Sequence, residues 1–154
     1  VTATNHVLTG AVIATVVGSP AIAIPVAFAS HFVLDAIPHF GIHEDDVLKR
    51  NGHWLFRGVI ITDTTLTIAA LAIVPVVLRS AVNGWFVLAA MVAALIPDLL
   101  WIPHFIHEVR HNVVRARNKF MTLHQRIQWS ETPWGLLIEL LWIAASIVLM
   151  ALAT

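Results

Sequence analysis

Apolar positions along this chain come in long blocks rather than at the spacing of a single buried face. Residues 7–37, 59–78, 85–102 and 136–152 are dominated by Ala, Val, Ile, Leu, Phe and Trp. The last three blocks have about the 17–25 residues that a helix needs to cross a hydrocarbon core roughly 30 Å thick. The first is too long for one straight span, and Gly18-Ser19-Pro20 interrupts it. Glycine closes helices because it takes the left-handed conformation freely, and proline opens them because its ring presets φ. The pattern predicts a hairpin, with one helix near residues 4–17 and a second near 20–37; the alternative is one long tilted helix kinked at Pro25. The chain therefore reads as all-α, an integral membrane helical bundle of about five transmembrane helices forming a single membrane domain over residues 1–154.

Composition sharpens this reading. Hydrophobic residues make up 58 % of the chain and charged residues 12 %, against about 25 % charged in soluble domains. No cysteine is present, which removes disulfide scaffolds, thiolate metal sites and cysteine nucleophiles. The formal net charge of zero gives no bulk attraction to nucleic acid. Residues 1–5 lack the basic stretch of a cleavable leader, so the first apolar run is expected to be retained.

Charge placement orients the spans. With five of them, the amino-terminal end and the segments 39–57 and 104–132 fall on one side. That side collects eight of nine Lys/Arg, all nine Asp/Glu and all nine His, and only Arg79 is left on the other. The positive-inside tendency makes the charged side cytoplasmic, which predicts a multi-pass protein of the cell inner (cytoplasmic) membrane with its N-terminus inside. Arg110, Arg115, Arg117, Lys119 and Arg126, set among Val, Phe and Met, read as an amphipathic basic segment lying on the membrane surface. A plain cytoplasmic loop explains them equally well. Trp54, Trp85, Trp129 and Trp134 stand near span ends, as interfacial anchors do.

An internal repeat is visible. His31-Phe32-Val33-Leu34-Asp35 through Pro38-His39-Phe40 to His43-Glu44 is echoed by Pro97-Asp98 through Pro103-His104-Phe105 to His107-Glu108. Upstream, Thr4-Asn5-His6-Val7-Leu8-Thr9 is echoed by Thr62-Asp63-Thr64-Thr65-Leu66-Thr67. The units run from about 4 to 53 and from about 62 to 124, and a last helix, about 133–152, follows. Membrane bundles built from repeats place their functional sites where the copies meet.

Asp35, Asp63, Asp98 and Glu139 lie in or at the ends of apolar spans, where a central carboxylate costs about 2.5–3.5 kcal/mol on insertion scales. Each is a functional candidate, and each has a plainer reading as a group reaching interfacial water or pairing with an arginine. His31 and Asp35, spaced i, i+4, share one helix face. Imidazole and carboxylate are the usual non-thiolate ligands of zinc, manganese or iron. The expected metal ligands are His6, His31, Asp35 and Asp98, with His39 and His104 near enough to join; zinc or manganese is the expected divalent ion. The plainer reading is a belt of histidines that hydrogen-bonds water and headgroups. Separately, His107-Glu108-Val109-Arg110-His111 matches HExxH, in which two histidines bind zinc and the glutamate activates water. The repeat speaks against it, since the matching stretch at residues 43–47 lacks the second histidine.

Asn5-His6 with Leu8 and Gly10, Ser30-His31-Phe32-Val33-Leu34-Asp35, and Ala94-Leu95-Ile96-Pro97-Asp98-Leu99 together resemble the YdjM-like family of small bacterial inner-membrane proteins, described as predicted metal-dependent hydrolases. Leu123-His124-Gln125-Arg126 loosely matches that family's histidine–arginine segment. Its Thr-His-Ser step is replaced by Trp129-Ser130-Glu131, and Leu100 stands where an acid often follows Pro-Asp-Leu.

The leading expectation is a metal-dependent membrane hydrolase acting on a lipid or lipid-linked (phospho)ester at the cytoplasmic face. Asp63 or Glu139 would serve as general base, and His124 or Arg126 would meet a phosphate. The alternatives are a non-enzymatic membrane protein, either a metal- or haem-binding module or a small subunit of a larger complex, and an HExxH-type membrane metalloprotease. The expected partners are membrane lipids, a lipid-linked substrate, and a second copy of the chain or a membrane complex.

Overall fold

The structure, a computed structural model, describes residues 1–41, 49 and 53–153. The His43-Glu44 arm of the repeat, and most of the polar segment 39–57 expected on the cytoplasmic side, lie outside these. The chain is mostly helical, 78 %. Helix α1 spans Ala3–Val17 and α2 spans Pro20–Asp35. Strand β1 is His39–Phe40, α3 is Trp54–Val77 with a 3-10 turn over Leu78–Ser80, and α4 is Gly84–Leu99. Then come α5 at Ile102–His111, α6 at Lys119–Ile127, strand β2 at Glu131–Thr132 and α7 at Gly135–Leu152.

The first apolar run is two helices, not one. Gly18 ends α1 with φ 67°, a left-handed conformation that glycine takes without a Cβ penalty. Pro20 then starts α2, where its missing N–H is not needed. Pro25 sits inside α2 without ending it.

Three segments are long and apolar enough to cross a membrane: Trp54–Ser80, Gly84–His111 and Gly135–Leu152, with hydropathies of 2.0, 2.1 and 2.3. At 15 and 16 residues, α1 and α2 are apolar but shorter, about 22–24 Å at 1.5 Å per residue. Large apolar side chains stay exposed on the outer faces, among them Ile61, Ile68 and Val76 of α3 and Leu137, Leu141 and Val148 of α7. Lipid tails solvate such a surface without cost, which is compatible with a membrane protein.

The short α1 occupies the middle. It packs against α2, α3, α4 and α7, and Val7, Leu8, Ala11 and Ala14 are buried in the central apolar cluster with Ala90, Met91 and Ala94 of α4. Small residues let the backbones approach. A Cβ added at Gly10 would lie 2.6 Å from the Ala90 carbonyl oxygen and 2.8 Å from Met91 Cα.

One end of the bundle carries a polar cap. Asn118 caps α6 through Oδ1, which accepts the Met121 N–H at 2.9 Å, and Met121 and His124 form the buried face of that helix. A two-residue parallel pairing, His39 with Glu131 and Phe40 with Thr132, ties the exit of α2 to the entry of α7. Ser130 reinforces it, donating to the Ile37 carbonyl at 2.9 Å. This small sheet is absent from the all-α expectation; two residues leave no alternation to read.

Candidate metal centre

The capped end of the bundle gathers ligand atoms from four helices. His6 enters from the first turn of α1, His31 and Asp35 from the last turns of α2, Asp98 from the end of α4, and His124 from α6. His6 and His31 stack, with ring centroids 3.8 Å apart and planes 18° apart.

Hydrogen bonding fixes where His31 and His124 keep their lone pairs. His31 Nδ1 lies 2.7 Å from the Ala94 carbonyl oxygen, which only accepts, so Nδ1 carries the proton and Nε2 presents a lone pair. That Nε2 lies 3.2 Å from Asp35 Oδ2 and 3.6 Å from Asp98 Oδ1. His6 Nε2 lies 3.3 Å from Asp35 Oδ1 and 4.0 Å from Asp98 Oδ2. Neither ring nitrogen of His6 has a hydrogen-bond partner among the described residues, although the side chain is fully buried. Two imidazoles and two carboxylates thus face one point. Around an ion with ligand distances of 2.0–2.2 Å, a tetrahedral site has edges of about 3.3–3.6 Å. The four separations run from 3.2 to 4.0 Å and involve both oxygens of each carboxylate; with one donor atom per residue, His6, His31 and Asp98 form a group within 4.8 Å. Imidazole and carboxylate are donors of the kind that zinc and manganese take, and Asp35 stands beside the group, 3.2 Å from His31 Nε2 and 3.3 Å from His6 Nε2.

His124 plays a different part. The Trp101 indole N–H, which only donates, points at His124 Nδ1 from 2.7 Å, so Nδ1 accepts and the proton of the neutral ring sits on Nε2. Nε2–H then donates to Asp35 Oδ2 at 2.7 Å. By distance alone His31, Asp35 and His124 also form a ligand group, but a protonated Nε2 has no lone pair for a metal. His124 thus holds Asp35 in place, with Gln128 Nε2 donating to the same oxygen at 3.3 Å.

The remaining expected site residues lie elsewhere. Asp63, expected as a base, accepts the Ala3 and Thr4 backbone N–H groups, both at 2.9 Å, and the Thr4 hydroxyl at 2.6 Å. It caps α1 from α3, and it lines the same cleft as Asp98. Glu139 Oε1 accepts the N–H groups of Thr2 and Phe40 at 3.0 and 3.2 Å, pinning α7 to β1 and to the start of α1. His39 is buried with Nδ1 on the Ile37 carbonyl at 2.8 Å and Nε2 3.9 Å from Glu131 Oε1, outside both ligand groups. Burial holds its imidazole down, to about 4, so it is neutral near pH 7. His104 packs edge-on against Trp101, at 6.3 Å between rings, away from the cluster. His107 and His111 come within 4.7 Å ring to ring, but among the described residues no third ligand joins them. Glu108 is turned inward to accept the Arg115 N–H at 3.2 Å.

Trp101, Gln128 and the Ala94 carbonyl are the functional groups that sequence reasoning missed. Trp101 follows Asp98 by three residues, and that helical spacing was the available signal.

Asp98 is the outlet of the cluster. Its side chain is 27 % exposed, while those of His6, His31 and Asp35 are fully buried, and it borders a cleft of about 650 Å³. Ile60, Ile68, Leu71 and Leu99 of α3 and α4 line the cleft, together with polar groups that include Asp63, Thr67, Gln125 and Gln128.

The chain matches no family model, no curated protein and no solved structure.

Proposed function

We propose that this chain is a metal-dependent membrane hydrolase whose substrate is a lipid or lipid-linked ester. The observation that carries the reading is the position of Asp98, shared between the buried pair His6 and His31 and a cleft lined by apolar side chains of α3 and α4 and by polar groups. Such a cleft suits an amphiphile, with its chains along α3 and α4 and its polar part beside Asp98. A divalent ion held by His6, His31, Asp35 and Asp98 would lower the pKa of a water molecule and polarise an ester oxygen. The chain's own groups bind and orient: His31 is aimed by Ala94, Asp35 by His124 and Gln128, and His124 keeps a proton at Nε2 under Trp101. Membership in the YdjM-like family goes with this reading.

Hydrolysis of dioleoyl phosphatidate and dioleoyl phosphatidylglycerol, presented in detergent with Zn²⁺ or Mn²⁺ and followed by mass spectrometry of the products, tests it. Asp98→Asn is expected to abolish turnover and Glu108→Gln to leave it near wild type. Turnover insensitive to Asp98→Asn, or lost with Glu108→Gln, would overturn the assignment in favour of the HExxH segment.

In the same reading α1 and α2 cross the inner membrane as a full hairpin, making five spans with the site at the cytoplasmic face. The two repeat copies meet there: Thr4 of the first bonds Asp63 and Thr67 of the second, at 2.6 and 3.1 Å. The chain has no native thiol, so single cysteines report topology directly. A cysteine at Ser19 should label from the same side as one at Ala153, and from the side opposite Ala3. Labelling of Ser19 from the Ala3 side would make the hairpin re-entrant and reduce the spans to three.

A further inference from the structure

His39 carries a buried ring nitrogen that the fold leaves unpaired. Its Nδ1 lies 2.8 Å from the Ile37 carbonyl oxygen, which only accepts, so Nδ1 holds the proton and Nε2 of the neutral ring presents a lone pair. That Nε2 has no hydrogen-bond partner among the described residues. It stands 3.9 Å from Glu131 Oε1 on the neighbouring strand. Both atoms are acceptors, and 3.9 Å is too long for a hydrogen bond but shorter than two laid end to end. Acceptors that face each other are unfavourable unless a donor stands between them.

The backbone sets this pair. Strand pairing puts His39 opposite Glu131, and the Gly41 N–H donates to the Thr132 carbonyl at 3.2 Å. A Cβ on Gly41 would meet Cβ, Cγ and Cδ of Glu131 at 2.5, 2.7 and 2.8 Å, so the glutamate lies along a glycine that leaves it room. His39 and Glu131 both line the cleft of about 650 Å³ that Asp98 borders. The other ionisable side chains lining it are Asp63 and Asp98, and among the described residues no lysine or arginine lines it. Apart from an ion at Asp98, such a wall offers an anionic group no partner and a cationic one several acceptors.

Counting protons chooses among donors. A hydroxyl has one and serves one of the two acceptors. A primary ammonium has three, serves both, and offsets the carboxylate charge; a quaternary ammonium has none. We infer that His39 and Glu131 form a subsite for a primary ammonium, so that the lipid taken by the cleft is one whose headgroup ends in an amine. This rests on the proposed use of the cleft as the substrate site.

Thermal unfolding of the purified protein in detergent tests the inference, with dioleoyl phosphatidylethanolamine, dioleoyl phosphatidylcholine and dioleoyl phosphatidylglycerol compared at equal concentration. The first two share a zwitterionic charge and differ in whether the nitrogen bears N–H or methyl groups; the third offers hydroxyls. Phosphatidylethanolamine alone is expected to raise the melting temperature, since a ligand bound only by the folded state stabilises it. Glu131→Gln keeps the strand pairing and removes the charge, and it should weaken phosphatidylethanolamine about 10–100-fold, as expected for a lost hydrogen bond between charged groups. His39→Phe keeps a ring and removes the lone pair, with the same expected direction; Glu131→Gln decides alone should that variant fail to fold. An equal rise with phosphatidylcholine would overturn recognition of N–H groups, and an equal rise with phosphatidylglycerol would overturn the amine. No rise with any of the three would leave a water molecule between the acceptors and overturn the subsite. An undiminished response in Glu131→Gln would remove the pair from the site. Repeating the measurement beside the turnover assay separates this from the hydrolase reading. A phosphatidylethanolamine-specific response without turnover keeps the subsite and loses the hydrolase; turnover with no discrimination among headgroups loses the subsite alone.

Discussion

Protein purified without a histidine tag should carry one divalent ion per chain, and the double substitution His31→Ala with Asp35→Ala should remove it. Both residues belong to the proposed ligand set, and Asp35 touches three imidazoles at once: His6 at 3.3 Å, His31 at 3.2 Å and His124 at 2.7 Å. Loss of an outer partner costs about 10–100-fold in metal affinity; loss of two direct ligands should cost far more, down to no detectable ion by elemental analysis. His124→Ala is the graded comparison, because it removes an orienting hydrogen bond and no ligand, and should fall within that 10–100-fold range. The ion also contributes stability, since the unfolded chain cannot assemble the site. Chelation should therefore lower the melting temperature of wild type and leave the double variant unmoved. Ion-free wild type that neither gains stability from Zn²⁺ or Mn²⁺ nor loses it to a chelator would exclude the metal centre.

Gly10→Leu should prevent assembly of the bundle, and Gly10→Ala should already weaken it. A Cβ at this position meets the Ala90 carbonyl oxygen at 2.6 Å and Met91 Cα at 2.8 Å, and backbone cannot rotate aside as a side-chain tip can. Overpacking of this kind typically costs about 1–3 kcal/mol, and three further carbons find no room between α1 and α4. The penalty should reach the site as well. His6 sits one helical turn before Gly10, so pushing α1 off α4 draws its imidazole away from Asp98. Reduced zinc content together with reduced melting temperature is the expected signature. Gly58→Ala is the control: nothing lies within 4 Å of a Cβ there, and stability should change by no more than about 0.5 kcal/mol or rise slightly with helix propensity. Equal effects at the two glycines would show that packing at Gly10 is not the cause.

The helices and the core of the site lie close to the surface of the sequence. Apolar run length predicts α3, α4 and α7, and Gly18 with Pro20 predicts the break between α1 and α2, because these signals are local. His6, His31, Asp35 and Asp98 stand out as polar groups at the ends of apolar runs, and the structure brings them together. What sequence reasoning assigned elsewhere depends on tertiary contacts. A carboxylate inside a span looks the same whether it takes a proton or, like Asp63, caps the backbone of another helix. Glu139 holds two main-chain N–H groups from distant parts of the chain, which no spacing announces. His124 could be read as meeting a phosphate or binding a metal until Trp101 fixes its tautomer. His104 matches His39 in the repeat read from the sequence, yet it packs against Trp101, 6.3 Å between rings, outside both ligand groups.

The central place of α1 has a consequence in time. The helix made early in synthesis ends in the middle of the bundle, and its partners arrive late. His6, His31 and Asp35 are together once the α1–α2 hairpin closes, but Asp98 follows Asp35 by 98 − 35 = 63 residues. At about 5–20 residues per second that gap lasts roughly 3–13 s. During it, a hairpin of two short helices holds two imidazoles and a carboxylate with neither the fourth ligand nor the α6 cap. Its buried polar groups must be sheltered by the insertion machinery, by water at the interface or by an ion caught early. Ribosomal pace, rather than the strength of any one contact, then sets how long the half-built centre stays open to the wrong partner.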